Sequence, residues 1–431
     1  MNNSPQIYHG EWWVPAMSDN DIHMFFQKPE QMMGHEIKYT GTLTYYEDKD
    51  SILELYHVPS NFHSKHYCKN DVIWGRDANG NIFTLFNVLM HEMHMGNFSC
   101  TKFVVEYILI GEHVLSAYDN CFESCLVKFP YLTNWAFQDK LIYSKTETSM
   151  SFNIPIIAEK ILEALHKEGI YWRIWQGQTT NMGIHDLTIT QKSTLEIEVK
   201  EGLSIQSYMR NIEEFAQFLS IALYCDQNSS EIKFVNKENK RECTLLFKKH
   251  ASVDPKVFTL IKFDVFKEKL PIMLSAWHEK FEKIAPISSY LIDSLQRKNS
   301  FDVPDFLIIA QALDGYYKRF VNRKDGKDHQ KYEDGIKILI HQFEDVYCIQ
   351  KCHIDSAVLT QSRDKYSHLL NDEDKPLAVE GIDLYWLTEK CKILLTCCIL
   401  NMLGLTNEEI NICCNNSPIS QIINSFPLES D

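Results

Sequence analysis

The first third of the chain alternates apolar and polar residues in short segments. Residues 52–56 and 103–110 are rich in β-branched and aromatic side chains, and Gly, Asn and Asp residues separate such runs. The cluster 77–81, Asp-Ala-Asn-Gly-Asn, is typical of a hairpin turn between two strands. The pattern from residue 39 to about residue 142 therefore predicts a β-rich region.

The middle of the chain mixes two periodicities. Residues 194–199 alternate like a strand, whereas residues 205–223 carry apolar side chains at helical spacing. Another hairpin is predicted over residues 232–247. Residues 1 to about 260 are thus predicted to form an α+β region, with a boundary near residue 146.

After Phe263 the apolar residues recur every three or four positions, which predicts helices almost throughout. The segments with this spacing are 263–297, 305–321, 334–370 and 381–403, the third of them read as one long helix. Pro304 fits a helix start. The polar stretches 322–331 and 371–380 are predicted loops, so the C-terminal third is predicted to be a small helical bundle.

The predicted fold class is therefore α+β, with a β-rich N-terminal module followed by an all-α helical bundle. A chain of 431 residues exceeds one ordinary core, since domains average roughly 150 residues. We expect three segments: a β-rich domain over 1–145, an α+β continuation over 146–260 and the helical domain over 261–431. With 45% hydrophobic and 12% aromatic residues, the composition is that of a globular protein rather than a disordered one.

Charge and cysteine content indicate which partners and which cellular compartment to expect. The formal net charge of −15 opposes general attraction to polyanions, so an RNA site would need its own local positive field. Thirteen cysteines, an odd number, and an N-terminus without export features predict reduced thiols in the cytoplasm. The apolar stretch 393–405 falls short of the roughly 20 residues that cross a bilayer, so no membrane association is expected.

The sharpest candidate chemistry is the pair Arg363 and His368 near the end of the predicted long helix. Cutting RNA without a metal requires a group that takes the 2′-hydroxyl proton, a group that protonates the leaving 5′-oxygen and a cation for the charge developing on the phosphate. Histidine titrates near neutrality, and a guanidinium is permanently charged and binds two phosphate oxygens at once. This pair therefore predicts a ribonuclease site.

Helix geometry restricts how the two side chains cooperate. A separation of five residues places them roughly 140° apart, which suits a cleft between two packed helices, including copies from two subunits. Asp364 and His368 are four residues apart on one face, so the carboxylate is a candidate for orienting the imidazole. The alternative is a polar helix end with an ordinary surface Asp–His pair.

A basic segment, 318–331, holds six Lys and Arg residues against two Asp residues. Its candidate RNA-binding side chains are Lys318, Arg319, Arg323 and Lys324. They would supply the local positive field that the net charge lacks. The alternative is a solvated turn.

Several metal-like patterns are set aside, and no metal or cofactor is expected. His91 and His94 are one residue too close for a zincin helix, and the group His57, His63, His66 and Cys68 matches no standard zinc spacing. The pairs Cys348/Cys352, followed by His353, and Cys121/Cys125 are predicted to lie one turn apart on helices, where core packing is the better interpretation. Nucleotide-binding loops and a G-x-S-x-G elbow do not occur in the sequence.

The order of short motifs resembles the ApeA-type anti-phage proteins, which join an N-terminal ApeA domain to a C-terminal HEPN domain. The N-terminal motifs are Gly10-Glu11-Trp12-Trp13-Val14-Pro15, Gly41-Thr42-Leu43, Ile73-Trp74-Gly75, Thr84-Leu85, Ile110-Gly111-Glu112-His113 and Leu132-Thr133-Asn134-Trp135. The C-terminal motifs are Phe306-Leu307, Ala310-Gln311-Ala312-Leu313-Asp314-Gly315-Tyr316-Tyr317, and Arg363 with His368. The resemblance covers nearly the whole chain.

The resemblance implies a metal-independent endoribonuclease whose site forms where two HEPN domains meet, leaving a 2′,3′-cyclic phosphate and a 5′-hydroxyl. Arg363 and His368 match the catalytic motif, and Asp314 matches an acidic position of the first bundle helix. This sequence has Asp and Tyr-Tyr where the family pattern has Glu and Tyr-His. The implied role is abortive infection, with unpaired RNA such as a transfer-RNA loop as substrate, a homodimer or higher oligomer as the assembly, and a phage-encoded activator.

Two other readings stay open. One is a non-catalytic HEPN scaffold or sensor that binds RNA or a partner protein, because a fold does not fix a function. The other is a metal-dependent hydrolase that uses the cluster from His57 to Cys68. The tryptophans Trp12, Trp13, Trp74 and Trp135 are candidates for recognition or autoinhibition, although core packing is the simpler role for large aromatic side chains.

Overall fold

The structure is a computed structural model. It describes residues 4–15, 37–57, 72–94, 99–136, 142–148, 150–153, 158–183, 187–255, 258–297, 303–322 and 331–427. Two compact units divide the chain: the first takes residues 1–129, 195–212 and 228–251, and the second takes residues 130–194, 213–227 and 252–431. The predicted segment boundaries at residues 145 and 260 stay a prediction.

The strands occupy most of the N-terminal region. They are β1 (Gln6–Trp13), β2 (Tyr39–Tyr45), β3 (Ser51–Tyr56), β4 (Ile73–Asp77), β5 (Ile82–His94), β6 (Cys100–Ile110), β7 (Phe122–Lys128), β8 (Ile142–Lys145), β9 (Met150–Asn153), β10 (Glu159–Leu165), β11 (Ile170–Met182), β12 (Leu187–Leu203), β13 (Glu231–Asn236) and β14 (Glu242–Phe247).

The helices dominate the C-terminal region. They are α1 (Leu132–Ala136), α2 (Ile205–Leu223), α3 (Phe263–Phe266), α4 (Leu270–Gln296), α5 (Val303–Tyr316), α6 (Tyr332–Gln342), α7 (Tyr347–Cys352), α8 (Ser356–His368), α9 (Gly381–Met402), α10 (Asn407–Cys414) and α11 (Pro418–Asn424). A π-helical turn, Tyr317–Val321, extends α5. The predicted fold class, a β-rich N-terminal region followed by a helical C-terminal region, is confirmed.

Six strands of the first unit close into a ring. Their order is β6-β3-β2-β1-β4-β5, and the last strand, β5, also pairs with the first, β6. Burial alternates along β2 and β3, as expected of strands with one face towards a core. Trp12 is fully buried in that core and lies so close to Gly75 that a β-carbon there would come within 2.2 Å of the indole ring. The close approach of Trp12 therefore requires glycine at position 75.

The two predicted hairpins and the predicted helix over residues 205–223 are confirmed. The turn at 77–81 joins β4 to β5, and the Asp77 carboxylate accepts hydrogen bonds from the backbone N–H groups of Asn79 and Asn81. Helix α2 occupies the predicted range 205–223, and β13 and β14 form the predicted hairpin. Local periodicity was sufficient for these elements.

Two element predictions were wrong. Residues 334–370 form three helices rather than one, because His353 adopts a left-handed conformation with φ 43° and Asp355 caps a new helix. Cys125 lies on strand β7 and Cys121 immediately before it, so this pair is not on a helix. An i, i+4 spacing of thiols carries no information on its own about helix or strand.

The bundle of the second unit is built around α9. This helix packs against α5, α4, α7, α10 and α6. Residues 391–400 of α9 are all buried, so α9 is surrounded by protein on every side. Helix α8 packs against α5 and α6, which places its last turns beside the first helix of the bundle. Across the described residues, no helix has the length and apolar character that crossing a membrane would require.

Candidate active site

Helix α8 carries the Arg363/His368 pair at its C-terminal end. The Asp355 carboxylate caps the helix by accepting hydrogen bonds from the backbone N–H groups of Ala357 and Val358, at 2.8 and 3.2 Å. The helix ends at His368, and the next residue, Leu369, is left-handed with φ 53°. The predicted placement of the pair near a helix end is confirmed.

Arg363 is held in place by its neighbours. Its guanidinium carbon lies 5.1 Å from the ring centroid of Tyr332, the first residue of α6, in a cation–π contact. Its Nη1 donates to Oδ1 of Asp364 at 3.0 Å. The Tyr332 hydroxyl in turn donates to the backbone carbonyl of Ala310 on α5, at 3.2 Å. The guanidinium therefore lies where α5, α6 and α8 meet.

Asp364 links two cations. Its second oxygen accepts a hydrogen bond from Lys375 Nζ at 2.9 Å. Burial raises the pKa of this carboxyl, but the hydrogen bonds from Lys375 and Arg363 outweigh that effect and leave the pKa below its ordinary value. Asp364 is therefore a carboxylate that fixes Arg363 and Lys375. The predicted orienting contact with His368 is not among the contacts of the described residues and stays a prediction.

His368 stands apart from this cluster. Its side chain is exposed, and it has no hydrogen-bond or ion-pair partner among the described residues. Arg363, by contrast, is one-third exposed. The helix thus presents a fixed cation and, roughly 140° around its axis, a free imidazole.

Asp314 lies near the same cluster. It sits on α5, is one-fifth exposed, and pairs with Lys318 Nζ at 2.7 Å. Burial raises the pKa of the Tyr332 hydroxyl well above its ordinary value, and the charges of Asp314 and Asp364 add to that rise while Arg363 opposes it. Tyr332 therefore interacts electrostatically with Asp314, Arg363 and Asp364.

The loop 371–380 is fastened along α8, a feature that the sequence did not reveal. The backbone N–H of Leu377 donates to Gln361 Oε1 at 2.9 Å, and that of Val379 donates to Ser362 Oγ at 3.1 Å. Lys365 forms ion pairs with Asp372 and Glu380 of the loop. These contacts hold Lys375 beside Asp364.

The predicted RNA-binding residues divide into two groups. Lys318 and Arg319 are exposed, and Arg319 also donates to the backbone carbonyl of Lys283 at 2.7 Å, in the turn of α4 that precedes Pro286. Arg323 and Lys324 lie outside the described residues.

The residues of the metal-like patterns lie on different elements of the structure. His91 and His94 lie on strand β5, not on a helix. His57 follows strand β3, whereas His63, His66 and Cys68 lie outside the described residues. Cys348 and Cys352 lie on α7 and are both buried, as predicted for core thiols.

Two known protein families match the chain. The family described as ApeA N-terminal domain 1 matches residues 7–284, well over half of the chain. The chain belongs to the ApeA family. The family described as Apea-like HEPN matches residues 307–409, a range that contains Asp314, Arg363 and His368. No curated protein and no solved structure matches the chain.

Membership of the ApeA family with a HEPN domain supports an anti-phage function of the HEPN kind. HEPN domains are typically ribonucleases. The ApeA N-terminal match contains the four tryptophans Trp12, Trp13, Trp74 and Trp135. Trp12, Trp13 and Trp135 are buried, and the Trp74 indole stacks on His113 with ring centroids 4.6 Å apart. Core packing accounts for Trp12, Trp13 and Trp135, and the Trp74 indole also donates a hydrogen bond to the backbone carbonyl of Val114 at 2.9 Å.

Proposed function

We propose that this ApeA-family protein is a metal-independent endoribonuclease of anti-phage defence, with a site formed where two HEPN domains meet. The proposal rests on a contrast on α8. Tyr332 and Asp364 fix the guanidinium of Arg363, whereas the exposed imidazole of His368 has no partner among the described residues. Transition-state stabilisation favours a cation whose position is set in advance, and proton transfer favours a free imidazole that reaches the substrate.

The proposed chemistry is an intramolecular displacement. The 2′-oxygen attacks phosphorus and loses its proton to a base, while the bond from phosphorus to the 5′-oxygen breaks and that oxygen takes a proton. His368 serves proton transfer, and Arg363 stabilises the charge on the phosphate oxygens. In a two-fold pair, the His368 side chains of both copies supply the base and the acid, and no metal takes part in any of these steps.

Local charge argues for a composite site. Asp372, Glu373, Asp374 and Glu380 lie on the loop along α8, together with the single base Lys375. Among the described residues, the surface along α8 of one copy alone is therefore not strongly basic. The exposed side chains of Lys318 and Arg319, brought together from two copies, would supply that positive field. An unpaired RNA segment suits the reaction, because a stacked helix resists the in-line geometry.

A second candidate is a HEPN module that binds RNA or a protein without cutting. The pairing of Arg363 with Asp364 favours it, because a guanidinium already paired within the chain also fits a structural role. Loss of cleavage on replacing His368, which has no structural partner among the described residues, separates the two candidates.

The test uses purified protein, total RNA and excess chelator. We expect the wild-type protein to release fragments with 2′,3′-cyclic phosphate ends and His368→Ala to release none. His341→Ala is the matched control, because His341 is a histidine on α6 whose side chain is 78% exposed. Equal cleavage by wild type and His368→Ala would contradict the proposed role of His368.

A further inference from the structure

Three buried thiols meet in the helical bundle. They belong to Cys348 on α7, Cys397 on α9 and Cys414 at the end of α10. Their side chains are 1%, 0% and 4% exposed. Three separate helices thus each direct one sulfur to a single point inside the core.

The distances between the sulfurs suit a shared cation. Cys348 Sγ lies 3.7 Å from Cys397 Sγ and 3.5 Å from Cys414 Sγ, and all three sulfurs lie within 4.8 Å of one another. Thiolates around tetrahedral zinc, with bonds of roughly 2.3 Å, stand roughly 3.8 Å apart. Only small shifts of the sulfurs are needed to place a cation between them.

The three differ from the other thiols of the bundle. Cys352, Cys391, Cys398 and Cys413 are buried as well. Among the described residues, however, the Cys348, Cys397 and Cys414 trio forms the group whose donor atoms converge closely enough for one ion.

We propose that Cys348, Cys397 and Cys414 form a structural binding site for a thiophilic cation, Zn²⁺ or Cu⁺. Soft thiolate ligands select these ions among the common biological metals. The cation offsets part of the charge of the thiolates in a core that excludes water. Its ligands lie on α7, α10 and the central helix α9, so the ion would cross-link these three helices. The proposal is independent of RNA cleavage.

Burial of the site couples the ion to folding. A cation reaches these sulfurs when the bundle forms or opens, so metal affinity becomes folding free energy. The bound protein should therefore retain its metal through dialysis against a mild chelator and lose it on unfolding. Removing the ion should lower the melting temperature of the bundle.

The experiment measures metal by mass spectrometry in protein purified without a histidine tag from medium supplemented with zinc or with copper. We expect about one ion per chain, because the three sulfurs converge on one point. The two growth media distinguish Zn²⁺ from Cu⁺. We expect Cys397→Ser to lose that ion, and Cys398→Ser to keep it, since Cys398 is an equally buried thiol next to Cys397 that lies outside the group.

A spectroscopic titration covers the case in which Cys397→Ser fails to fold. Wild-type protein is unfolded, stripped of metal and refolded with Co²⁺ alone, and thiolate-to-metal charge transfer should appear at a stoichiometry of about one. Wild-type protein that contains no zinc or copper and shows no charge-transfer absorption with Co²⁺ would overturn the proposal and leave the three thiols as core packing. Metal retained at an equal level in Cys397→Ser and Cys398→Ser would overturn it too.

Discussion

At the scale of residues, the local sequence predicted where Arg363 and His368 lie, but not what they touch. The start of the helix follows from the chain around it, because Asp355 is an N-cap residue next to it in sequence. Its end, at the left-handed Leu369, has no such signal, because glycine or asparagine is usual there. The contacts of Asp364 do not follow from the local sequence, because Lys375 is eleven positions away in a loop whose path is set by tertiary packing. The four-residue spacing suggested His368 as the partner of Asp364, and that contact stays a prediction. The contacts of Asp364 with Lys375 and Arg363 were not predicted.

Asp364→Asn tests the linking role of this carboxylate. The change leaves Arg363 and Lys375 without their shared anion, so at pH 7 the free energy of unfolding should fall by about 1 kcal/mol. Because the folded-state pKa of Asp364 lies below its ordinary value, this contribution is present above the ordinary carboxyl pKa of about 4 and is lost as the pH falls further. Denaturant titrations at pH 7 and at decreasing pH measure it.

A gap between wild type and Asp364→Asn that widens as the pH falls would contradict the assigned pKa direction. Asp383→Asn is a suitable control, because Asp383 is an exposed acid in the first turn of α9. It should change stability less than Asp364→Asn does at neutral pH.

At the scale of elements, periodicity predicted which segments are helical more reliably than where each helix ends. Residues 334–370 keep apolar spacing through two breaks, and so they read as one helix. The break before α8 does carry a local signal, because Asp355 precedes the helix as an N-cap residue. The loop 371–380 carries none, since its attachment to α8 depends on Gln361, Ser362 and Lys365 of another element.

Asp355→Ala tests the start of α8. Loss of the cap leaves two backbone N–H groups without their acceptor and should lower the free energy of unfolding by about 1 kcal/mol. Asp355→Asn keeps an acceptor oxygen and should cost much less. Thermal unfolding of both variants measures the difference. Equal losses in the two would show that charge, not capping, is what Asp355 supplies.

At the scale of the whole molecule, the order of β-rich and helical regions was predictable because each follows from periodicity over many residues. The closing of six strands into a ring was not, because strand order depends on pairings between distant segments. Nor could sequence show that three thiols on α7, α9 and α10 converge. Assembly and RNA partners belong to this scale and stay predictions.

Mixing chains tests whether the site is shared between copies. If both copies contribute His368, an equal mixture of wild-type and His368→Ala chains leaves about half of the wild-type chains in wild-type pairs. Ribonuclease activity per wild-type chain should then fall by about half after random exchange. The measurement is cleavage of a fixed RNA before and after co-refolding, with His341→Ala chains as the mixing control. Unchanged activity per wild-type chain would show that each copy cuts alone.

We propose that this ApeA-family protein cuts RNA during infection through His368. The most direct measurement is sequencing of 2′,3′-cyclic phosphate ends in RNA from phage-infected cells that express wild type, His368→Ala or His341→Ala at equal levels. We expect new cyclic-phosphate ends and protection from phage with wild type and His341→Ala, and neither with His368→Ala. Protection that persists in His368→Ala without new RNA ends would contradict cleavage and leave a binding module as the function.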